Sequence, residues 1–316
     1  MKTKILIAGV GGVGGYFGGL LAKQFYSSSD TEIFFLARGK HLTEIQNNGL
    51  KVIKQGIEFI AKPTLATDKP AEIGIVNVIL VCTKSYDLEN TIEQLQPCIN
   101  KNTIILPLLN GVDARKRIEN ILPNNLILDG CVYIVSRLTE AGKIENTGNI
   151  QLLYFGLNNF ENENLLLLEQ LFKKAQIEAT LSKKIASIIW EKFIFISPTA
   201  TATSYFDANI GTLLADTEKL RTLTNLIEEV ANLAKAKQIT ISKNITKETI
   251  DKLKALPFNA TSSMHTDFQN KKNNTELQSL TGYVVSEGQK YKVVTTTFEQ
   301  LFNCLTNNNK IPTNIG

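Results

Sequence analysis

The chain has 316 residues, of which 43% are hydrophobic and 20% charged, with a formal net charge of +4. That length leaves room for two cores, and so small a charge without blocks of one sign argues against a nucleic-acid binder. Four scattered cysteines without a C-x-x-C pair and only two histidines, His41 and His265, exclude a disulfide framework, a zinc site and a histidine triad as expectations, and a reduced cytoplasm is the expected setting.

Ile5 to Ala8 is an apolar run of strand length that breaks at Gly9-x-Gly11-x-x-Gly14, after which apolar residues resume at helical spacing. Strand, glycine turn and helix in that order make the dinucleotide-binding fingerprint. One glycine serves the tight turn, one lets backbone approach the pyrophosphate, and one allows close helix–strand packing. Gly9, Gly11, Gly12, Val13 and Gly14 are the expected cofactor loop, with phosphates against the free N–H groups of the helix. Lys2 and Lys4 ahead of an uncharged stretch also resemble a signal peptide or a membrane helix. Seven glycines from Gly9 to Gly19 make a poor apolar segment for either, and no membrane association is expected.

A second buried strand, Glu32 to Ala37, ends on Arg38. An acid at this place bonds the free ribose hydroxyl of NAD, and an arginine accommodates the 2′-phosphate of NADP. Glu32 opens the strand rather than closing it, so the position points to NADP, although Arg38 also fits a solvated loop cation. Leu50–Ile53 and Ile57–Ile60 suggest a hairpin across Gly56. Strands over Ile75–Cys82 and Thr103–Leu109 bring Lys84 and Asn110 to the carboxyl edge of a parallel sheet, where functional and merely solvated residues both occur. Further strands are expected over Leu126–Ile134 and Gln151–Phe155, with a turn at Thr139–Lys143 between them, then a helix over Leu165–Lys174.

Past Thr180 the strand signal nearly vanishes, and helices are expected over Lys183–Ile196, Thr212–Lys237, Thr246–Leu256, Thr275–Tyr291 and Thr297–Asn307, with an asparagine-rich tail at 307–309. The fold class is an α/β Rossmann-type dinucleotide-binding domain (1–180) followed by an all-α domain (181–316). The cleft between two such domains is the default substrate site. Ile185, Ile188, Ile189, Lys192 and Ile196 fall at i, i+3, i+4, i+7 and i+11, which puts an ammonium on an apolar helix face. Buried there, Lys192 suits proton transfer; alternatively it snorkels to solvent along its stem. Glu276 is a candidate partner, but Thr275-x-x-Gln278 also reads as a capping box, and local grounds favour the cap.

Together these segments resemble the ketopantoate reductase family over essentially the whole chain. The matching segments are the glycine loop, Leu36-Ala37-Arg38-Gly39-Lys40-His41-Leu42, Val81-Cys82-Thr83-Lys84, Leu109-Asn110-Gly111, Trp190-Glu191-Lys192, Ser262-Ser263-Met264 with Asp267, and Thr275-Glu276-Leu277 leading to Gly282-Tyr283. The resemblance implies NADPH-dependent reduction of 2-dehydropantoate (ketopantoate) to pantoate in the pantothenate branch of coenzyme A biosynthesis. It implies that Arg38 binds the 2′-phosphate, that Lys84 and Asn110 line the nicotinamide and substrate edge, and that Lys192 is the general acid. Ser263 would hold the substrate carboxylate, and Glu276 would bind the substrate hydroxyl and help place Lys192.

Two single positions and one stretch depart from the family's pattern, the stretch being Gln269-Asn270-Lys271-Lys272-Asn273-Asn274 in place of the usual Gly-Arg approach to Thr275-Glu276. Ile196 and Ala200 stand one and two helical turns beyond Lys192, where the pattern has asparagines, with Ser197, Thr199 or Thr201 as candidate substitutes. A paralogue reducing a less polar 2-oxo acid is therefore a second expectation, and a non-catalytic NADPH-binding regulator a third. The expected partner is a small-molecule 2-oxo acid. A homodimer is compatible with the apolar helices, which suit a core or an interface equally.

Overall fold

The computed structural model describes residues 2–307, and the tail beyond residue 307 lies outside the described residues. The chain divides into two compact units. One comprises the residues up to Leu109 with Asp113–Ile185, the other Asn110–Val112 with the residues from Ala186 onward.

The first unit opens with β1 (Thr3–Ala8), α1 (Gly12–Phe25), β2 (Thr31–Leu36) and α2 (Gly39–Asn48), then the expected hairpin of β3 (Leu50–Lys54) and β4 (Ile57–Ala61). After β5 (Leu65–Thr67) come β6 (Val78–Val81), α3 (Leu88–Gln94), β7 (Ile104–Pro107), α4 (Ala114–Ile121) and β8 (Leu126–Ile127). The strands of this set other than the hairpin form an all-parallel sheet in the order β5-β2-β1-β6-β7-β8. Connections leave β1 in opposite directions, so the turn after it opens at a topological switch point. Period-two alternation divides the strand residues between two cores. Ile5, Ile7, Ile33 and Phe35 pack with Tyr16, Phe17 and Leu21 of α1. Leu6, Ala8 and Phe34 pack with Leu88 and Ile92 of α3 and Ile118 of α4 on the other face. Each fully buried Ile or Phe contributes about 1.5–3 kcal/mol by leaving water.

The remaining strands are β9 (Asp129–Tyr133), β10 (Ser136–Glu140), β11 (Lys143–Asn146), β12 (Leu152–Gly156) and, after α5 (Glu163–Lys174), β13 (Glu178–Leu181). The turn expected at Thr139–Lys143 is the tip of a β10–β11 hairpin, with Gly142 at φ +73°. β10 is exposed along most of its length and lacks the alternation that marks a half-buried strand. Strand β11 pairs in parallel with β3, which gives a second sheet, β10-β11-β3-β4. The single strand expected over Leu126–Ile134 is two, because β8 joins the first sheet and β9 a third, β13-β12-β9.

Helix α1 packs against strands on two sides, which accounts for glycines the fingerprint leaves over. A Cβ on Gly18 would stand 2.9 Å from Ile7 of β1, one on Gly15 2.6 Å from Ile144 of β11, and one on Gly19 2.7 Å from Val52 of β3. At Gly12 it would collide with the Ser136 carbonyl of β10.

The second unit is helical: α6 (Ile185–Phe206), α7 (Ile210–Ala215), α8 (Thr217–Ala236), α9 (Ile245–Lys254), α10 (Ser263–Gln269), a π-helical turn over Gln278–Gly282 that runs into α11 (Tyr283–Tyr291), and α12 (Thr296–Thr306). Its core sets Leu223, Ile227 and Val230 of α8 against Phe193 and Ile194 of α6, Met264 of α10 and Phe298 of α12. Helix α6 does not stop near Ile196 but continues through Pro198. The cost of a helix-interior proline, about 3 kcal/mol, is offset by burial of the following turns and by hydroxyls that bond helix carbonyls, Thr199 to Phe195 at 2.6 Å and Thr203 to Thr199 at 2.7 Å. The helix expected over Thr212–Lys237 is two, separated at Asp216, whose carboxylate accepts from the N–H groups of Glu218 and Lys219, both at 3.0 Å. Helix α10 is capped by Ser262, whose hydroxyl accepts from His265 N–H at 3.1 Å. No helix among the described residues is long and apolar enough to cross a membrane.

Candidate active site

In the first unit the chain leaves β1 through Gly9, at φ +93°. A Cβ there would stand 2.9 Å from Thr83 Cγ2, so both backbone conformation and close approach demand glycine. Gly14 packs so tightly that a Cβ would meet the Gly9 carbonyl. Gly11 is different. It sits at the N-cap of α1, and a Cβ built on it meets no protein atom within 4 Å. No side chain caps this helix, and its first turn carries no acid. An open glycine position before an uncapped helix N-terminus fits a pyrophosphate. Val13 lies half-buried against the core beside it.

At the end of β2, Arg38 is exposed, extended (φ −142°) and in the N-cap position of α2. Its guanidinium has no ion pair or hydrogen bond among the described residues, and neither has the ammonium of exposed Lys40. Gly39 between them has open space where a side chain would be. Glu32, the acid weighed against Arg38, is bonded to Lys2 at 2.9 Å near the opposite end of the strand. Lys84 follows β6, half-buried, and its carbonyl accepts from Asp87 N–H at 2.9 Å as a single 3₁₀ turn begins.

In the second unit, half-buried Lys192 donates from Nζ to Asn110 Oδ1 at 2.9 Å. Asn110 was expected at the carboxyl edge of the parallel sheet, yet the Asn110–Val112 turn after β7 belongs by its contacts to the second unit. An edge-to-face contact between Phe193 and Tyr283 of α11, 5.7 Å between centroids, holds the helix that carries Lys192. Ser197 Oγ donates to Leu280 O at 3.0 Å, and the Thr201 and Thr281 hydroxyls meet at 2.8 Å, fixing α6 against the π-helical turn. Glu276 is only 3% exposed. The capping box is not formed, because Thr275 accepts from Leu277 N–H at 3.3 Å and the regular helix begins later. Glu276 is thus a buried carboxylate that needs polar company, not a solvated first-turn acid. Ser263 is exposed at the start of α10.

The profile of ketopantoate reductase PanE/ApbA matches residues 5–159, and that of the ketopantoate reductase PanE/ApbA C terminal matches residues 184–309. The chain belongs to the ketopantoate reductase family. Like others of this family it is an oxidoreductase. It is 36% identical to a 2-dehydropantoate 2-reductase from Porphyromonas gingivalis W83, whose crystal structure superposes with a TM-score of 0.85 over 97% of this chain and 100% of that one. The uncharacterized oxidoreductase YkpB of Bacillus subtilis (strain 168) is 27% identical over 300 residues, 95% of this chain and 96% of its own. A ternary structure of D-mandelate dehydrogenase with NADH and anilino(oxo)acetate shares the fold, with a TM-score of 0.83 at 22% identity over 96% of this chain and 98% of that one.

Against the ketopantoate reductase pattern, the two single-position departures have structural consequences. Ile196 is half-buried against the helical core, and Ala200 is 3% exposed. Ser197, Thr199 and Thr201 do not stand in for the missing amides, since each hydroxyl is engaged within the helix or with the π-helical turn. One constellation escaped the sequence. His265 Nε2 lies 2.8 Å from Asp207 Oδ1, its Nδ1 lies 2.5 Å from the Thr261 hydroxyl, and Ser262 Oγ meets Thr203 Oγ1 at 2.8 Å. Together they tie the residues before Ser263 to α6. The visible signal was Ser262 itself, a good N-cap residue ahead of Met264. A separate hollow of about 720 Å³, lined by Lys2, Glu32, Gln46 and Lys62 among others, opens where β1 and β2 begin, at the edge of the sheet away from the glycine turn.

Proposed function

We propose that this oxidoreductase uses NADPH to reduce a 2-oxo acid to the 2-hydroxy acid, and that its substrate is 2-dehydropantoate, giving pantoate. The observation that carries the reading is Lys192, on a helix face it shares with Ile185, Ile188, Ile189 and Ile196, held by Asn110 at 2.9 Å in the same unit as buried Glu276 and exposed Ser263. The dihydronicotinamide, when bound, supplies the hydride for the carbonyl carbon. As negative charge grows on the carbonyl oxygen, the Lys192 ammonium stabilises it and donates the proton. Asn110 accepts one of the three ammonium N–H bonds and so sets the direction of the others. Ser263 binds the substrate carboxylate, and Glu276 binds the substrate hydroxyl and orients Lys192.

In the first unit, the loop from Gly9 to Gly14, with Gly12 and Val13, takes the pyrophosphate, and Lys84 lines the nicotinamide edge. Arg38 takes the 2′-phosphate, with Lys40 beside it. Support comes from their exposure and lack of partners, which leaves both charges available to a phosphate. The four cysteines are free thiols, in keeping with a cytoplasmic setting.

The apolar Ile196 and Ala200 favour a second reading, reduction of a less polar 2-oxo acid by the same machinery. The test of the common mechanism is Lys192→Ala, with NADPH binding measured separately from turnover. Lost turnover with retained binding supports the acid role. Unchanged turnover removes it.

A further inference from the structure

We propose that His41 is a positioning residue for the cofactor loop, holding the Val10 carbonyl through its neutral imidazole so that the glycine turn keeps the shape a dinucleotide phosphate requires. This rests on the reading of the loop as the cofactor site. Gly142 N–H, at the tip of the β10–β11 hairpin, donates to His41 Nδ1 at 2.8 Å. Nδ1 must therefore present a lone pair, and the ring proton resides on Nε2, which donates to Val10 O at 2.8 Å. One imidazole thus clamps the loop residue between Gly9 and Gly11 to a turn more than a hundred positions away in sequence.

The clamp works in one protonation state. A second proton on Nδ1 would face the Gly142 N–H and break that bond. Half-burial of the ring lowers its pKa below the ordinary 6.5, against the raising effect of the Val10 bond. The charged groups on the elements that meet there are Arg38 at the N-cap of α2, Lys40 and Glu44 on α2, Glu140 with Lys143 on the hairpin, paired at 2.9 Å, and Lys51 of β3, whose N–H donates to the Gly142 carbonyl at 2.8 Å. Glu44 packs against the tip, its Cβ 2.8 Å from where a Gly142 Cβ would be. The glycine loop and the first turn of α1 carry no charged side chain. Because the folded-state pKa is depressed, the neutral clamp is complete above the unfolded value and is lost as pH falls through the folded one.

The test is NADPH affinity by fluorescence titration of the full chain, at about pH 7.5 and about pH 5.5, with a melting curve at each. The variants are His41→Asn, whose amide oxygen can replace Nδ1 but reaches Val10 poorly, and His41→Gln, whose amide nitrogen can replace Nε2. The expected result is an affinity about tenfold weaker in the Asn variant and near the wild-type value at neutral pH in the Gln variant. Wild-type affinity falls more steeply toward low pH than that of the Gln variant. The 2′-phosphate titrates near pH 6 in both, so the difference in slope belongs to His41. Coincident slopes overturn the inference, as does a folded Asn variant that binds like wild type. If the Asn variant does not fold, the Gln comparison decides. A wild-type chain that binds no dinucleotide overturns this inference together with the functional reading, whereas normal binding with coincident slopes overturns this inference alone.

Discussion

A half-buried ammonium needs hydrogen-bond acceptors to replace the water it has lost, and Lys192 finds one in the Asn110 amide oxygen 2.9 Å away. The proposed chemistry makes Lys192→Ala the most damaging single change: kcat falls by roughly 10²–10⁴ while NADPH affinity, titrated by fluorescence, stays within about twofold. Arg38→Ala acts on the other reactant. Loss of a charge-assisted phosphate bond weakens NADPH binding by roughly 10–100-fold and leaves NADH nearly unchanged, so equal weakening of both removes the 2′-phosphate role. Sequence made these two residues visible for local reasons, a strand end for Arg38 and helical spacing for Lys192. The Asn110 bond was not visible, because a contact across so long a stretch of chain leaves no periodic trace. The burial of Glu276 was not legible locally: Thr275 does accept from Leu277 N–H at 3.3 Å, as the cap reading expects, but the backbone then enters a π-helical turn and the carboxylate is 3% exposed.

Among the elements, α1 carries the sharpest contrast, because neighbouring glycines serve different ends. At Gly11 an added methyl meets no protein atom, so Gly11→Ala should melt within about 2 °C of wild type yet bind NADPH at least about tenfold more weakly, the methyl standing where phosphate approaches. At Gly12 the methyl meets the backbone of β10, so Gly12→Ala should lose about 1–3 kcal/mol in a denaturant titration. The reverse ranking in stability would mean that the loop is packed differently. The fingerprint was legible because strand, turn and helix are all local. The crowding at Gly15 was not, because β11 comes from an exposed-edged hairpin with little hydrophobic alternation of its own. Likewise α6 outran its expected end because burial of its second half outweighs the local penalty at Pro198.

For the whole molecule, the switch from strand to helix periodicity near residue 180 foretold a parallel α/β unit followed by a helical one, and that is the architecture observed. Membership of the second unit by Asn110–Val112 was hidden, since it depends on contacts and not on composition. What Ile196 and Ala200 select is decided by the substrate itself. The most direct measurement is the decrease in NADPH absorbance when ketopantoate, or one of a panel of less polar 2-oxo acids, is added to the purified protein. The account predicts stoichiometric oxidation with ketopantoate, pantoate as product, and a higher kcat/KM than for any other acid in the panel. Oxidation of a less polar acid alone would replace the substrate while keeping the reductase, and no oxidation with any 2-oxo acid would contradict the account.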